Sequence, residues 1–183
     1  KYFVNFYENI NSMFSDINLK DSHILIDKNV LSLFRKDFSL FFSEKKLLVI
    51  DAKEKNKSLE KIPEYVSWLV ENNIRRNNTL IAIGGGIIQD IACFLSSTIL
   101  RGVDWNFIPT TLLSQADSCI GSKSSINCNS VKNILGTFNP PNKIFICNDF
   151  LKTLSISEIK SGIGEMLKVH AIDGPSSFEK IKN

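Results

Sequence analysis

Three consecutive glycines follow a short apolar run in the sequence TLIAIGGGIIQD, which spans Thr79–Asp90. Gly84–Gly86 allow a sharp turn and let a ligand approach the bare peptide N–H groups. The helix predicted after them directs the positive end of its dipole at that ligand. The pattern therefore predicts a pyrophosphate-binding turn, although Gln89 stands where the usual dinucleotide fingerprint has a further glycine.

An acid and a base three residues apart, Glu165 and Lys168, fall on one face of a predicted helix. They could be a metal ligand beside a substrate-binding ammonium, or a surface ion pair, which the sequence alone favours. Gly162 and Gly164 lie just before them, and each costs a helix roughly 1 kcal/mol relative to alanine. We therefore expect another group to approach this helix closely.

A long polar stretch, ADSCIGSKSSINCNSVKNILG, carries four further candidates: Asp117, Lys123, Lys132 and Asn133. Its two lysines near a glycine could bind phosphate or carboxylate groups. An ordinary solvated loop is the alternative. A segment of about 25 residues without an obvious strand or helix is long for a compact domain, which favours a functional role.

Short apolar strands alternate with amphipathic helices along the chain. Strands are predicted at His23–Asp27, Lys46–Asp51, Leu80–Ile83, Asp104–Ile108 and Lys143–Cys147. Helices are predicted near Val30–Lys36, from Leu59 to Ile74 after Ser58 as N-cap, over Ile88–Leu100, and from a capping box of Ser155 and Glu158 to about Ala171. This alternation predicts an α/β domain over residues 1–153, with helices on both faces of a parallel sheet. Residues 154–183 then begin a second, helical domain that the chain does not complete.

Polar or glycine residues stand at the carboxyl ends of four predicted strands, where ligands of such sheets bind. These ends are Asp27, Asp51, Gly84–Gly86 and Pro109–Thr111. Asp27 could bind a ribose hydroxyl or cap the following helix, and Asp90 could simply favour a helix dipole. Thr110 and Thr111 could contact a nucleotide or cap the next helix.

Two histidines and one charged turn complete the candidates. Glu54 and Lys57 could be nothing more than a solvated turn. Neither His23 nor His170 has a partner at metal-ligand spacing. We interpret His23 as a structural strand residue and leave His170 open.

Composition excludes several classes of function. Of the 183 residues, 43% are apolar and 22% charged, which is ordinary for a globular domain. No run of about 18 apolar residues could span a membrane, and a net charge of +3 gives no argument for nucleic acid. The four cysteines show no CxxC spacing, which favours reduced thiols in a cytoplasmic protein. The N-terminus lacks signal-peptide features and an initiator methionine, so we expect residues upstream.

Taken together, these segments resemble 3-dehydroquinate synthase and related sugar phosphate cyclases, from about Asp27 to Asp173. The family's motifs occur in order and at its spacing: GGGIIQD, RGVDWNFIPTTLLSQADS, GSKSSIN, KNILGTF, FLKTL and GIGEMLK. The resemblance implies a Rossmann-like NAD-binding domain followed by a helical domain that supplies most of a metal site. It also implies a carbon–oxygen lyase of the shikimate pathway. In that reaction NAD transiently oxidises a ring-carbon hydroxyl, phosphate is eliminated, the ketone is reduced again and an aldol step closes a carbocycle.

The resemblance implies roles for individual residues by matching position. The NAD-binding residues would be Asp27, Asn29, Glu54, Lys57, Gly85, Gly86, Ile87, Asp90, Thr110, Thr111, Leu151 and Thr153. A phosphorylated sugar acid would be bound by Lys123, Lys132, Asn133 and Lys168, with Asp117 next to the nicotinamide. Glu165 would be a ligand of a divalent metal, zinc or cobalt, whose two histidine ligands we expect from a segment beyond Asn183. A homodimer is one expected assembly, and neither a nucleic-acid nor a membrane partner is expected.

Three departures from the family pattern bear on the substrate. Gln89 replaces a glycine of the GGGxxGD form, Ser122 replaces the first residue of the GKT run, and Cys128–Val131 replaces an HPLG-type run. Because these changes flank the substrate lysines, a sugar phosphate cyclase with a different carbocyclic product is one alternative. A metal-dependent polyol dehydrogenase is a second, since that related architecture has a similar GGGxxxD turn. A non-catalytic NAD-binding module is a third.

Overall fold

Six parallel strands form the central sheet of the protein in its computed structural model, which describes residues 2–42 and 47–182. In chain order the strands are β1 (Phe3–Tyr7), β2 (Ser22–Asp27), β3 (Leu47–Ile50), β4 (Thr79–Gly84), β5 (Asp104–Pro109), β6 (Lys123–Cys128), β7 (Val131–Phe138) and β8 (Lys143–Cys147). The order across the sheet is β1-β8-β5-β4-β2-β3, and β6 and β7 form a separate antiparallel hairpin. Ile26 pairs with Ile83 and Gly84 with Pro109, so the carboxyl ends of β2, β4 and β5 are neighbours.

Helices cover both faces of this sheet. In chain order they are α1 (Ile10–Asp16), α2 (Lys28–Leu33), α3 (Arg35–Phe38), α4 (Ile62–Glu71), α5 (Gly86–Thr98), α6 (Leu112–Ala116), α7 (Ile156–Asp173) and α8 (Pro175–Lys182). Side chains of β4 alternate between two cores, because successive residues of a strand point to opposite faces. Leu80 and Ala82 join the core formed with α4 and α5, whereas Ile81 and Ile83 join the core formed with α1, α2 and α3. Across the described residues, none of the helices is long and apolar enough to cross a membrane.

The predicted α/β fold is confirmed, and most of its elements fall within one or two residues of their predicted bounds. Lys143–Cys147 matches β8, and the strand predicted at Lys46–Asp51 is β3, with Lys46 outside the described residues. The capping box is present as well. The Ser155 hydroxyl accepts from the Glu158 N–H at 3.3 Å, and the Ser155 N–H donates to the Glu158 carboxylate at 2.8 Å.

Several local predictions are wrong. Ser58 is not the N-cap of α4, which begins at Ile62 with proline in its first turn; Ser58 instead bridges to Asn127 in β6. The helix predicted near Val30–Lys36 is divided into α2 and α3. Most of the polar stretch forms the hairpin of β6 and β7, of which Ile126 and Leu135 pack with the core while Val131, Ile134 and Phe138 are exposed. The sequence analysis did not predict β1, α1 or α8.

Candidate functional site

The three glycines turn the chain from β4 into α5 at the carboxyl edge of the sheet. Gly84 is packed so closely that an added Cβ would lie 2.5 Å from Cγ1 of Ile88. Gly85 is the N-cap of α5, and a Cβ there would lie 3.0 Å from Cγ2 of Thr111. No described side chain caps this helix N-terminus. The bend can therefore present bare N–H groups and the positive end of the helix dipole to an anion.

A cavity of about 340 Å³ lies at this edge of the sheet. Five predicted cofactor residues line it: Asp27, Asn29, Thr110, Thr111 and Thr153. Thr111 caps α6, since its Oγ1 accepts from the Ser114 N–H at 3.2 Å. Thr110 is 3% exposed, and its Oγ1 has no hydrogen-bond partner among the described residues. Because a buried hydroxyl without a partner is unfavourable, Thr110 is suited to a polar group bound in the cavity.

Asp27 shares this cavity with a second carboxylate. Its Oδ1 accepts from the Asn29 N–H at 2.9 Å and caps α2, so the structural alternative is confirmed. Burial is the main cause that raises the pKa of Asp27; the Asn29 N–H opposes it, and the charges of Asp51 and Glu158 add to it. Glu158 itself lines the cavity. From the sequence, Glu158 is predicted only as part of the capping box with Ser155.

Three other predicted cofactor residues do not line this cavity: Lys57 contacts both Glu54 and Asp90. Lys57 is 7% exposed, and its Nζ lies 3.0 Å from Asp90 Oδ2 and 3.6 Å from Glu54 Oε1. The same ammonium donates to Asn133 Oδ1 at 2.9 Å. Burial raises the pKa of Asp90, opposed by the Ser125 N–H, which donates to Oδ1 at 3.0 Å, and by Lys57. A solvated turn is therefore excluded for Lys57, and the cluster joins predicted cofactor residues to a predicted substrate residue.

Asn127, which the sequence analysis missed, attaches the hairpin to this cluster. Its Nδ2 donates to Glu54 Oε1 at 2.9 Å, and its Oδ1 accepts from the Asn133 N–H at 2.9 Å. The bond from Asn127 is the main cause that lowers the pKa of Glu54. Asn133 is thereby held in a left-handed conformation, with φ of 54°. In the sequence, Asn127 differs from the other amides of this polar stretch only in standing between Ile126 and Cys128.

The predicted substrate residues are spread over the hairpin and the segment before it. Asp117 and Lys123 line a second cavity of about 950 Å³. Lys132 is exposed on β7 and lines neither of these two cavities. The strand register pairs Lys123 with Phe138 and Cys128 with Val131, which places the two lysines at opposite ends of the hairpin. The described residues therefore do not bring Lys123 and Lys132 together.

The remaining predicted cofactor residues have no polar side chain. Gly86 begins α5, and an added Cβ would have no described neighbour within 4 Å. Ile87 packs against the core, and Leu151 is half-buried in the 3-10 turn Asn148–Thr153. These residues can offer a ligand only backbone or apolar contacts.

Glu165 and Lys168 form an ion pair on α7, with side chains that are 21% and 58% exposed. This is the structural alternative of the sequence analysis. Across residues 2–42 and 47–182 there is no group of three or more His, Cys, Asp or Glu side chains that could hold a metal ion. Glu165 therefore has no set of described partners that would complete a metal centre.

α7 packs closely against α6. A Cβ added to Gly162 would lie 2.5 Å from Cγ of Leu112, whereas one added to Gly164 would meet no described atom within 4 Å. The expected close approach is thus confirmed at Gly162 and wrong at Gly164. Leu112 directly follows Thr111. The helix that carries the acid–base pair therefore lies on the same edge of the sheet as the glycine bend.

Both histidines have structural partners. His23 is 4% exposed in β2, and its Nε2 lies 2.9 Å from the Asn72 carbonyl oxygen, as expected for a structural strand residue. His170 Nδ1 lies 2.8 Å from Ser177 Oγ and connects α7 to α8. The four cysteines, Cys93, Cys119, Cys128 and Cys147, are free thiols, as expected.

Comparison with known proteins decides the family. The model of the 3-dehydroquinate synthase N-terminal domain matches residues 47–161. The chain belongs to this family. The 3-dehydroquinate synthase of Pelagibacter ubique is 39% identical over 166 residues, which cover 90% of this chain and 45% of that protein. That of Clostridium tetani is 49% identical over 115 residues, 63% of this chain and 31% of that protein. The chain therefore spans less than half the length of these relatives.

Solved structures of sugar phosphate cyclases share the fold. ValA, a 2-epi-5-epi-valiolone synthase from Streptomyces hygroscopicus with NAD+ and Zn2+ bound, has a TM-score of 0.82 and 31% identity, over 93% of this chain and 49% of ValA. A 2-deoxy-scyllo-inosose synthase complexed with carbaglucose-6-phosphate, NAD+ and Co2+ has a TM-score of 0.80 and 25% identity, over 91% and 48%. The resemblance to the 3-dehydroquinate synthase family is thus confirmed.

Most of the residues that the 3-dehydroquinate synthase pattern assigns lie in four places. They are the glycine bend with the smaller cavity, the Lys57 cluster, the larger cavity with Asp117 and Lys123, and the acid–base pair of α7. Three of these were described above at the carboxyl edge of the sheet or beside it, whereas the larger cavity is also lined by Tyr2 and Pro140, which precede β1 and β8. The roles of individual residues at these places stay predictions.

Proposed function

We propose that the protein acts as a 3-dehydroquinate synthase, a carbon–oxygen lyase that cyclises a phosphorylated sugar acid and eliminates phosphate. One observation carries this proposal beyond family membership. The helix with Glu165 and Lys168 packs through Gly162 on Leu112, next to the threonines that line the cofactor cavity. A cofactor at the glycine bend and a substrate near α7 would then share one cleft, which a cyclase of this family requires.

The residues at the glycine bend fit a dinucleotide. The unpartnered Thr110 hydroxyl and the uncapped N-terminus of α5 would bind its polar groups, and Asp27 would accept a hydrogen bond from a ribose hydroxyl. When bound, NAD supplies a transient oxidant that the reaction regenerates. The tight packing at Gly84 and Gly85 holds the N–H groups of the bend in place for this purpose. The assignment of these residues is part of the proposal.

Three cationic side chains would bind the charged groups of the substrate. Lys123, Lys132 and Lys168 are all exposed and could pair with carboxylate or phosphate oxygens. Asn133 would present the N–H groups of its side-chain amide, since Asn127 accepts from its backbone N–H and Lys57 donates to its Oδ1. We infer no contact between these side chains, because the described residues do not bring them together.

Glu165 is proposed as one ligand of a divalent metal, zinc or cobalt. The described residues do not fit a complete metal centre, since none of their acidic, histidine or cysteine side chains joins Glu165 in a group of three. Lys168, its ion-pair partner, would have to release the carboxylate before a cation could bind there. We therefore propose no chemical step for a metal at Glu165.

Two measurements test the proposed function. Calorimetric titration with NAD should give heat and a saturable binding curve; no heat and no thermal shift at millimolar NAD would contradict the cofactor site. The full-length protein should release inorganic phosphate from a phosphorylated sugar acid with a metal present and without net NADH accumulation. Identification of 3-dehydroquinate supports the proposal, another carbocycle indicates a different cyclase, and accumulating NADH indicates a dehydrogenase.

The assembly and location are also proposals. A homodimer in the cytoplasm agrees with the family resemblance and with the four free thiols. We further propose that α7 begins a helical domain distinct from residues 1–153. Sedimentation of the full-length protein tests the dimer, and a monomer at micromolar concentration would contradict it.

A further inference from the structure

A buried glutamine connects the helix after the glycine bend to the segment that carries Asp117 and Lys123. Gln89 is 5% exposed and lies one turn into α5, where its backbone N–H donates to the Gly85 carbonyl at 3.1 Å. Its Nε2 donates to the Ser118 carbonyl oxygen at 2.7 Å, and its Oε1 accepts from Ser118 Oγ at 2.7 Å. Both polar ends of the amide are thus bonded to a single residue 29 positions away.

This reciprocal pair acts on the wall of the larger cavity. Ser118 directly follows Asp117 and opens the 3-10 turn Ser118–Ile120. Asp117, Ser118 and Lys123 all line the cavity of about 950 Å³. If either hydrogen bond were lost, one end of the buried Gln89 amide would lose its partner, which is unfavourable. The pair therefore favours one arrangement of the turn over its alternatives.

We propose that Gln89 is a positioning residue that sets, through Ser118, the orientation of Asp117 and Lys123 for binding a phosphorylated substrate. The inference rests on the substrate contact proposed above for Lys123, with which Asp117 shares the wall of the larger cavity. The GGGxxGD pattern has glycine at this position, and glycine can make neither side-chain bond. Gln89 lines no part of the smaller cavity, so its loss should weaken the binding of the substrate more than the binding of NAD.

The test compares four variants of the full-length protein. Gln89→Met keeps the length of the side chain and removes both bonds, while Gln89→Glu keeps the acceptor for Ser118 Oγ and removes the donor. Ser118→Ala removes one bond only. Ser97→Ala is the matched control, because Ser97 is a half-buried hydroxyl of the same helix whose Oγ donates to the Phe94 carbonyl oxygen at 2.8 Å.

Gln89→Met should lower kcat/KM for the phosphorylated substrate about tenfold, mainly through KM, which corresponds to roughly 1.4 kcal/mol of lost hydrogen bonding. Gln89→Glu and Ser118→Ala should lie between wild type and Gln89→Met. Ser97→Ala should keep kcat/KM within about twofold, since Ser97 bonds Phe94 and shares no hydrogen-bond partner with Gln89 or Ser118 among the described residues. In Gln89→Met the Kd for NAD should change less than KM for the substrate does. Amide exchange of residues 117–123 should be faster in Gln89→Met than in the control.

The outcomes separate the two proposals. An inactive wild-type protein would overturn the proposed function and this inference with it. An active wild type with unchanged kcat/KM in Gln89→Met would overturn the inference alone, as would an equal loss in Ser97→Ala. If Gln89→Met does not fold, Ser118→Ala decides by the same readouts, since it removes a single hydroxyl.

Discussion

Two glycines of α7 provide a matched pair of substitutions with opposite expected effects. A Cβ at Gly162 would lie 2.5 Å from Cγ and 2.7 Å from Cβ of Leu112. These atoms are close to the backbone of α6 and cannot swing aside as the end of a long side chain could. A Cβ at Gly164 would meet no described atom within 4 Å. Gly162→Ala therefore tests the packing of α7 on α6, and Gly164→Ala is its control.

The size of the effect follows from two opposing contributions. Alanine in place of glycine stabilises a helix interior by about 1 kcal/mol, and this gain applies at both positions. At Gly162 the overlap with Leu112 costs about 1–3 kcal/mol, as other overpacked sites do. Gly162→Ala should therefore range from nearly neutral to about 2 kcal/mol less stable than wild type, whereas Gly164→Ala should be about 1 kcal/mol more stable.

Urea unfolding of wild type and both variants measures this difference as a shift in midpoint at constant m-value. Displacement of Leu112 would also move Thr111, so the affinity for NAD should fall in Gly162→Ala and be retained in Gly164→Ala. Equal stability of the two variants would refute the close packing of α7 on α6. The acid–base pair of α7 would then have no defined position relative to the cofactor cavity.

Three further substitutions test the polar residues. Thr110→Val removes a buried hydroxyl without a described partner. The free energy of unfolding should stay the same or rise by about 1 kcal/mol, while the affinity for NAD should fall. A marked loss of stability in thermal unfolding would show that the hydroxyl has a partner. Burial raises the pKa of Asp27, so the folded state holds its proton more tightly than the unfolded chain, and stability falls as pH rises between the two pKa values. Asp27→Asn should therefore raise the melting temperature at neutral pH, and this increase should disappear below the ordinary carboxylate pKa. An increase that did not depend on pH would contradict burial of the Asp27 charge as its cause. Lys57→Met leaves Asp90 buried without its cation and should cost about 3 kcal/mol in urea unfolding, part of which Asp90→Asn restores; no restoration would argue against the pair.

Local patterns in the sequence determined the main elements and the family. The apolar run before Gly84 predicts a buried strand, and the capping box of Ser155 and Glu158 predicts the start of α7. These features depend on residues within about one helical turn of each other, so they can be read without the rest of the fold. The order and spacing of the family motifs needed no structure either, and the match over residues 47–161 confirmed them.

Only the tertiary structure decided which polar residues meet and which glycine is needed. Lys57 contacts Asp90, 33 residues away, and Asn133, 76 residues away, and neither contact follows from local spacing. Gly162 and Gly164 look equivalent in the sequence, yet only Gly162 faces Leu112. These contacts depend on the parallel register that brings distant strand ends to one edge of the sheet, and on the packing of helices there. Short-range periodicity specifies each element, but the distances between elements are set by how their apolar faces pack together.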